Sequence, residues 1–100
     1  MNINVTNDNN KYVIALEGWL DTISSPELGD KIDEIGEATS IVLDFDKVEY
    51  IASSGVRQIV YCYRKAKELE AEFSVVNVSA EIMSIIQMTG IDKKMSIIAK

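Results

Sequence analysis

The sequence predicts an α/β fold: one mixed, mostly parallel sheet flanked by helices, in the order ββαβαβαβ. Three observations point there. Two apolar stretches open the chain across a dense cluster of turn formers, which is the pattern of a hairpin. β-rich runs then alternate with stripes of apolar residues at helical spacing, which calls for parallel strands joined by crossovers. Helix-start and helix-stop residues also fall at the seams between those runs.

In chain order, Ile3–Val5 and Tyr12–Leu16 read as strands, with Asn7-Asp8-Asn9-Asn10 turning between them. Gly18-Trp19-Leu20-Asp21 leaves the second strand. Ser24-Ser25-Pro26-Glu27 is a helix start, either with Ser25 as cap and Pro26 in the first position or with Ser24 and Glu27 as a capping box. Leu28, Ile32 and Ile35 then share one face, and Gly36 closes the helix. The continuous apolar run Ile41–Leu43 has the pattern of a strand covered on both faces. Asp44 is expected at its end and Asp46 in a turn that opens a short loop. Val56, Ile59, Val60, Tyr63 and Ala66 make the stripe of a second helix. Phe73–Val78 follows as a strand rich in β-branched residues. Ser79 caps a third helix through Ile82, Ile85 and Ile86, Gly90 stops it, and Met95–Ala99 is the last strand.

Composition narrows the function. One hundred residues, 47% of them hydrophobic and 26% charged, suit one globular domain, residues 1–100. The net charge of −6 argues against nucleic acid and against an anionic membrane surface, both of which need a basic footprint. Histidine is absent and Cys62 is the single cysteine, so the usual general base, Cys/His and Ser/His nucleophile pairs and thiolate metal sites are excluded. Cys62 sits among Ile59, Ala66 and Leu69 and reads as a small core residue. No stretch has the length of a membrane span, and Met1–Val5 lacks the pattern of a secretory signal, so a cytoplasmic location is expected. No cofactor is expected.

The most informative segment is Ser53-Ser54-Gly55, set between the buried strand and the second helix. A helix mouth gathers unpaired N–H groups and the positive end of the dipole, so it stabilises an anion, including a phosphate carried by the protein itself. Serine is also a favoured helix cap, and spacing alone favours capping for one of the two hydroxyls. The second hydroxyl is left over beside a glycine that lets another chain approach. Asp21 is expected either to start a turn or to stand beside the Ser53 loop, because loops after parallel strand ends gather on one edge. Arg57, placed near the positive end of the dipole, points to an outside contact or to pairing with a phosphate. Lys65 and Lys67 complement the other end. Trp19 reads as a core lid or as an interface anchor. Asp44 invites comparison with phosphoaspartate receivers, but those carry an acidic pair after the first strand, and here Thr6-Asn7-Asp8-Asn9 has a single acid.

Ile41-Val42-Leu43-Asp44-Phe45, five intervening residues, then Ile51-Ala52-Ser53-Ser54-Gly55-Val56-Arg57 resembles the central motif of the STAS family, the anti-sigma factor antagonists. Gly18-Trp19-Leu20-Asp21 and Asn77–Ile91 resemble two further elements of that family, in the right order. The resemblance implies a partner-switching regulator of bacterial transcription rather than an enzyme. In such proteins the first serine, here Ser53, is phosphorylated by a kinase that is also the anti-sigma factor. The unmodified form binds that kinase, and a serine phosphatase resets the switch. The partner surface would comprise Ser53, Ser54, Gly55 and Arg57, with Asp21 and Trp19 at its edge. Two departures stand out: Ala52 occupies a place where aspartate is common, and Trp19 one where a small polar or charged residue is common. The competing readings are a module of the same fold that is never phosphorylated and a receiver-like domain using Asp44.

Overall fold

A computed structural model describes residues 1–100. The chain runs β1 (Asn2–Asp8), β2 (Lys11–Leu20), α1 (Ser25–Asp33), β3 (Ser40–Ile51), α2 (Ser53–Glu68), β4 (Glu72–Val78), α3 (Ala80–Thr89), a 3-10 turn (Ile91–Lys93) and β5 (Ser96–Ala99). The predicted order ββαβαβαβ is the observed one. The short 3-10 turn is the only element the sequence reading omits.

The sheet order is β1-β2-β3-β4-β5. β1 pairs with β2 antiparallel, and every later pair is parallel. Because the parallel strands add in one direction, three right-handed crossovers must put their helices on the same face. Burial agrees. Ile14, Leu16, Ile41, Leu43 and Val75 share one face and are buried. Val13, Ala15, Val42, Asp44, Ser74 and Val76 share the other, and none of them is buried. The expectation that Ile41–Leu43 is covered on both faces is therefore wrong. Helices cover one side only, and Leu28 and Ile32 of α1, Ile59, Cys62 and Ala66 of α2, and Ile82 and Ile86 of α3 form the core with it.

β3 is also longer than expected. It continues through Asp46 to Ile51, where the sequence indicates a loop. It spends 12 residues over the span that β2 covers in 10. The register slips between Ala15 and Glu17 and again between Gly18 and Trp19, so both extra residues bulge from β3. Gly18 serves that bend with φ +107°, a conformation that side chains disfavour. The result is that Asp44 lies within a strand rather than at its end, and Asp46 is not a turn residue. Trp19 belongs to β2, not to a loop.

The helix ends carry mixed outcomes. Ser79 caps α3, its Oγ accepting the Ile82 N–H at 3.3 Å, and Gly90 ends that helix at φ +79°. α1 stops at Asp33 with Glu34 as its cap, so Gly36 lies beyond it, although Ile35 is buried as expected. Neither proposed cap for α1 forms. The N-cap is Ser24, but its backbone is helical (φ −89°, ψ −24°) and its side chain is used elsewhere.

Candidate functional site

The C-terminal ends of β2 and β3 lie side by side, with Leu20 opposite Ile51. Ala52 alone separates β3 from α2, and its N–H donates to the Leu20 carbonyl at 2.9 Å. This bond fixes where α2 begins relative to β2. The loops that follow the two strands therefore meet, as expected for parallel strand ends. The Thr22 hydroxyl donates to Ser54 Oγ at 3.1 Å and joins them.

The Asp21–Ser24 turn is tightly knotted. Asp21 Oδ1 accepts the N–H groups of Ser24 at 3.0 Å and Ile23 at 3.1 Å. Ser24 Oγ accepts the Asp21 N–H at 2.9 Å and donates to the Trp19 carbonyl at 2.6 Å. The Ser24 N–H, followed by the Ser24 hydroxyl and the Ile23 N–H, outweighs desolvation and holds the Asp21 carboxyl below its usual range. The stabilisation this gives is present above the ordinary carboxylate range and is lost as pH falls through the lowered value. Both expectations for Asp21 are thus met: it starts the turn, and its loop stands beside the serines.

α2 opens without a side-chain cap. Its N-cap is Ala52, extended at φ −95° and ψ 172°. The expectation that one serine caps the helix fails, because Ser53 and Ser54 are the first two helical residues and not the residue before them. The Ala52 carbonyl takes the N–H groups of Gly55 at 2.9 Å and Val56 at 3.1 Å. The N–H groups of Ser53 and Ser54 have no partner in the chain. Ser53 is exposed and its hydroxyl bonds to nothing in the chain, whereas Ser54 is half-buried and tied to Thr22. Since Ala52 already has the backbone shape of a cap, Ala52→Asp supplies an acceptor for a free N–H. It should raise stability by about 1 kcal/mol, seen as a melting temperature several degrees higher.

Gly55 is buried. The chain that approaches it is the protein's own: a Cβ there would stand 2.6 Å from the Leu20 carbonyl oxygen and 2.8 Å from Ile51 Cγ1. It seats the loop and presents nothing to a partner, which corrects the expectation that it makes room for another molecule. Arg57 is exposed and forms no ion pair. It is the fifth residue of α2, just past the first turn in which it was expected. Trp19 is 57% exposed and tilts against Tyr50 with ring centroids 5.2 Å apart. It is an open aromatic surface and not a core lid.

The sequence reading missed three neighbours of the site: Thr22, Tyr50 and Ile23, the last 87% exposed in the Asp21–Ser24 turn. Thr22 was legible as a hydroxyl between the two candidate loops. Tyr50 was not, because its place opposite Trp19 follows from the extended β3.

Asp44 has other engagements. Its Oδ1 accepts the Asn77 amide at 2.9 Å and the Asp46 N–H at 3.0 Å, and no three acidic, histidine or cysteine side chains gather to hold a metal ion. Cys62 is buried as expected. Burial, with a smaller push from the Asp33 charge, raises its thiol to about 12. No helix is long and apolar enough to cross a membrane.

The family model for the STAS domain matches residues 2–100. Among solved structures, an anti-sigma factor antagonist from Mycobacterium paratuberculosis superposes with a TM-score of 0.88 at 23% identity, over 99% of this chain and 86% of that one. The unphosphorylated anti-sigma factor antagonist SpoIIAA gives 0.77 at 19% identity, over 99% and 88%. The phosphorylated form of SpoIIAA, the Bacillus cell fate determinant, gives 0.76 at 22%, over 96% and 90%. At these identities the likeness is one of fold.

Proposed function

The chain belongs to the STAS domain family, and on that premise we propose that it is an anti-sigma factor antagonist that works by partner switching. With Ser53 unmodified it binds an anti-sigma factor that is also a serine kinase. Phosphorylation of Ser53 by that kinase releases it, and a serine phosphatase restores it. ATP and Mg²⁺ belong to the kinase, while this chain binds no cofactor, catalyses nothing and works in the cytoplasm of a bacterial cell. The observation that carries the reading is Ser53 itself, exposed at the mouth of α2 with a free hydroxyl and free N–H groups beside it. A kinase can reach that oxygen, and the helix end can hold the product dianion. Ser54 is the poorer target, because it is half-buried and bonded to Thr22.

The partner surface centres on Ser53, Ser54 and Arg57, with Asp21 and Trp19 at its edge and Gly55 setting its shape from beneath. Trp19 and Tyr50 together offer an aromatic anchor of the kind that dominates interface energetics. A second reading, a module of the same fold that is never phosphorylated, is favoured by Ala52, since antagonists commonly carry aspartate there. One experiment separates the two. The chain is incubated with a cognate kinase and ATP and analysed by mass spectrometry. Acid-stable phosphate on Ser53, lost in Ser53→Ala and kept in Asp44→Asn, is the expected result. An unmodified chain beside a kinase shown to be active on another antagonist rejects the switch.

A further inference from the structure

A groove of about 490 Å³ lies between the start of α1 and the face of α2, beginning at Ser54. Thr22 and Ser25 line it from the first side, and Arg57, Tyr61 and Arg64 from the second. Its chemistry runs against the rest of the protein. The chain holds 16 acids and 10 bases, yet no aspartate or glutamate lines this groove. Its two arginines are unpaired, because the only ion pairs are Lys31–Glu34 and Lys100–Asp46. The Tyr61 hydroxyl donates to Asp33 and so bridges α2 to α1 without neutralising either guanidinium.

A second observation is independent of charge. Ser25 is 5% exposed, and its Oγ has no hydrogen-bond partner. Buried hydroxyls are normally matched, and an unmatched one is destabilising. The hydroxyl is itself sealed from solvent in the groove wall, so what the groove presents is two guanidinium groups with no acid among its lining residues.

The spacing identifies the class of anion. Arg57 and Arg64 are seven residues apart, so they share a face of α2 at about 10 Å along its axis. That separation suits two carboxylates on one polypeptide, three residues apart in a polyproline II segment, where every third side chain shares a face, or seven apart in a helix. Guanidinium groups engage carboxylates in bidentate pairs. We propose that this groove docks an acidic segment of the partner protein, one carboxylate on each arginine. The inference rests on the partner surface described above and adds how modification is sensed. Ser53 precedes Arg57 by four residues, on the same side of the helix. A phosphate on Ser53 competes with the segment for Arg57 and leaves Arg64 in place.

The test uses the full chain, labelled with ¹⁵N, and a synthetic peptide of four Glu-Ala-Ala repeats, with the matching Gln peptide and inorganic phosphate as controls. The Arg57 and Arg64 Nε–H signals should shift and saturate with the Glu peptide, and not with either control at the same concentration. Arg64→Glu should weaken the peptide about tenfold, the loss expected of one charge-assisted pair. Its unchanged backbone spectrum away from α2 would show that the fold is intact. Ser53→Asp should weaken it several-fold through Arg57. Absence of a saturable shift, an equal response to the Gln peptide, or saturation by phosphate alone overturns the docking site. Full affinity in Ser53→Asp overturns the competition. A chain that takes the peptide but is never phosphorylated keeps the groove and loses the switch, so the two failures are read apart.

Discussion

Ser53→Asp should weaken binding of the proposed anti-sigma factor partner about a hundredfold, whereas Ser53→Ala should leave it within a few-fold of the parent. The difference comes from charge at a surface shaped for a neutral hydroxyl. A partner that covers Ser53 must strip water from whatever stands there. A hydroxyl loses little, but a carboxylate without a cation opposite it loses several kcal/mol. A net loss of about 3 kcal/mol corresponds to roughly a hundredfold in affinity. The fold should not register the change. Ser53 is exposed in the first position of α2, where an anion is favoured by the helix dipole, so both variants should melt close to the parent. Titration calorimetry of the two variants against one anti-sigma factor, with melting curves alongside, measures both terms. Equal affinities would remove the switch, whatever the melting curves show.

How much of this was legible beforehand depends on whether periodicity survives locally. The helices were readable because their stripes are unbroken and, for α3, because Ser79 and Gly90 do what capping chemistry asks of them. β3 was readable only as far as Asp44. Beyond it, two bulges change the spacing of buried residues from two to three, so that Phe45, Val48 and Ile51 are buried in turn. Apolar residues three apart do not read as a strand, and the charged residues between them read as a loop. Everything placed by that stretch was lost with it: the length of β3, the pairing of Trp19 with Tyr50, and the single-residue connection to α2. Ser24 failed for another reason. As an N-cap its hydroxyl would turn to the helix, but with helical backbone angles it turns back to the Trp19 carbonyl instead. The two loops nevertheless lie together as expected, because Ser53 and Asp21 follow strand ends that parallel topology brings side by side.

The bulges also tie stability to the site. They carry Ile51 level with Leu20, and Ala52 then bonds back to the Leu20 carbonyl. The start of α2 is consequently pressed against the end of β2, and Gly55 is the residue at the point of closest approach.

Gly55→Ala should therefore destabilise the protein by about 2 kcal/mol and lower its melting temperature by roughly 10 °C. On helix propensity alone the change would be favourable by about 1 kcal/mol, since alanine is the better helix former. Space reverses the sign. The added Cβ meets the Leu20 carbonyl oxygen at 2.6 Å, Ile51 Cγ1 at 2.8 Å and Leu20 Cγ at 2.9 Å. The carbonyl cannot swing aside without stretching the bond it accepts from Ala52, and both side chains are held in the core. Gly29 is the control. A Cβ there also meets an atom at 2.6 Å, but that atom is the Gln58 amide nitrogen at the end of a flexible side chain. Gly29→Ala should accordingly stay within about 0.5 kcal/mol of the parent. Thermal melts followed by circular dichroism compare the two variants directly, and a Gly55→Ala protein as stable as Gly29→Ala would refute the close-approach argument. The same displacement would lift the first turn of α2 from β2 and re-aim Ser53. Phosphorylation of Gly55→Ala should fall even at temperatures where it is folded, which separates loss of presentation from loss of fold.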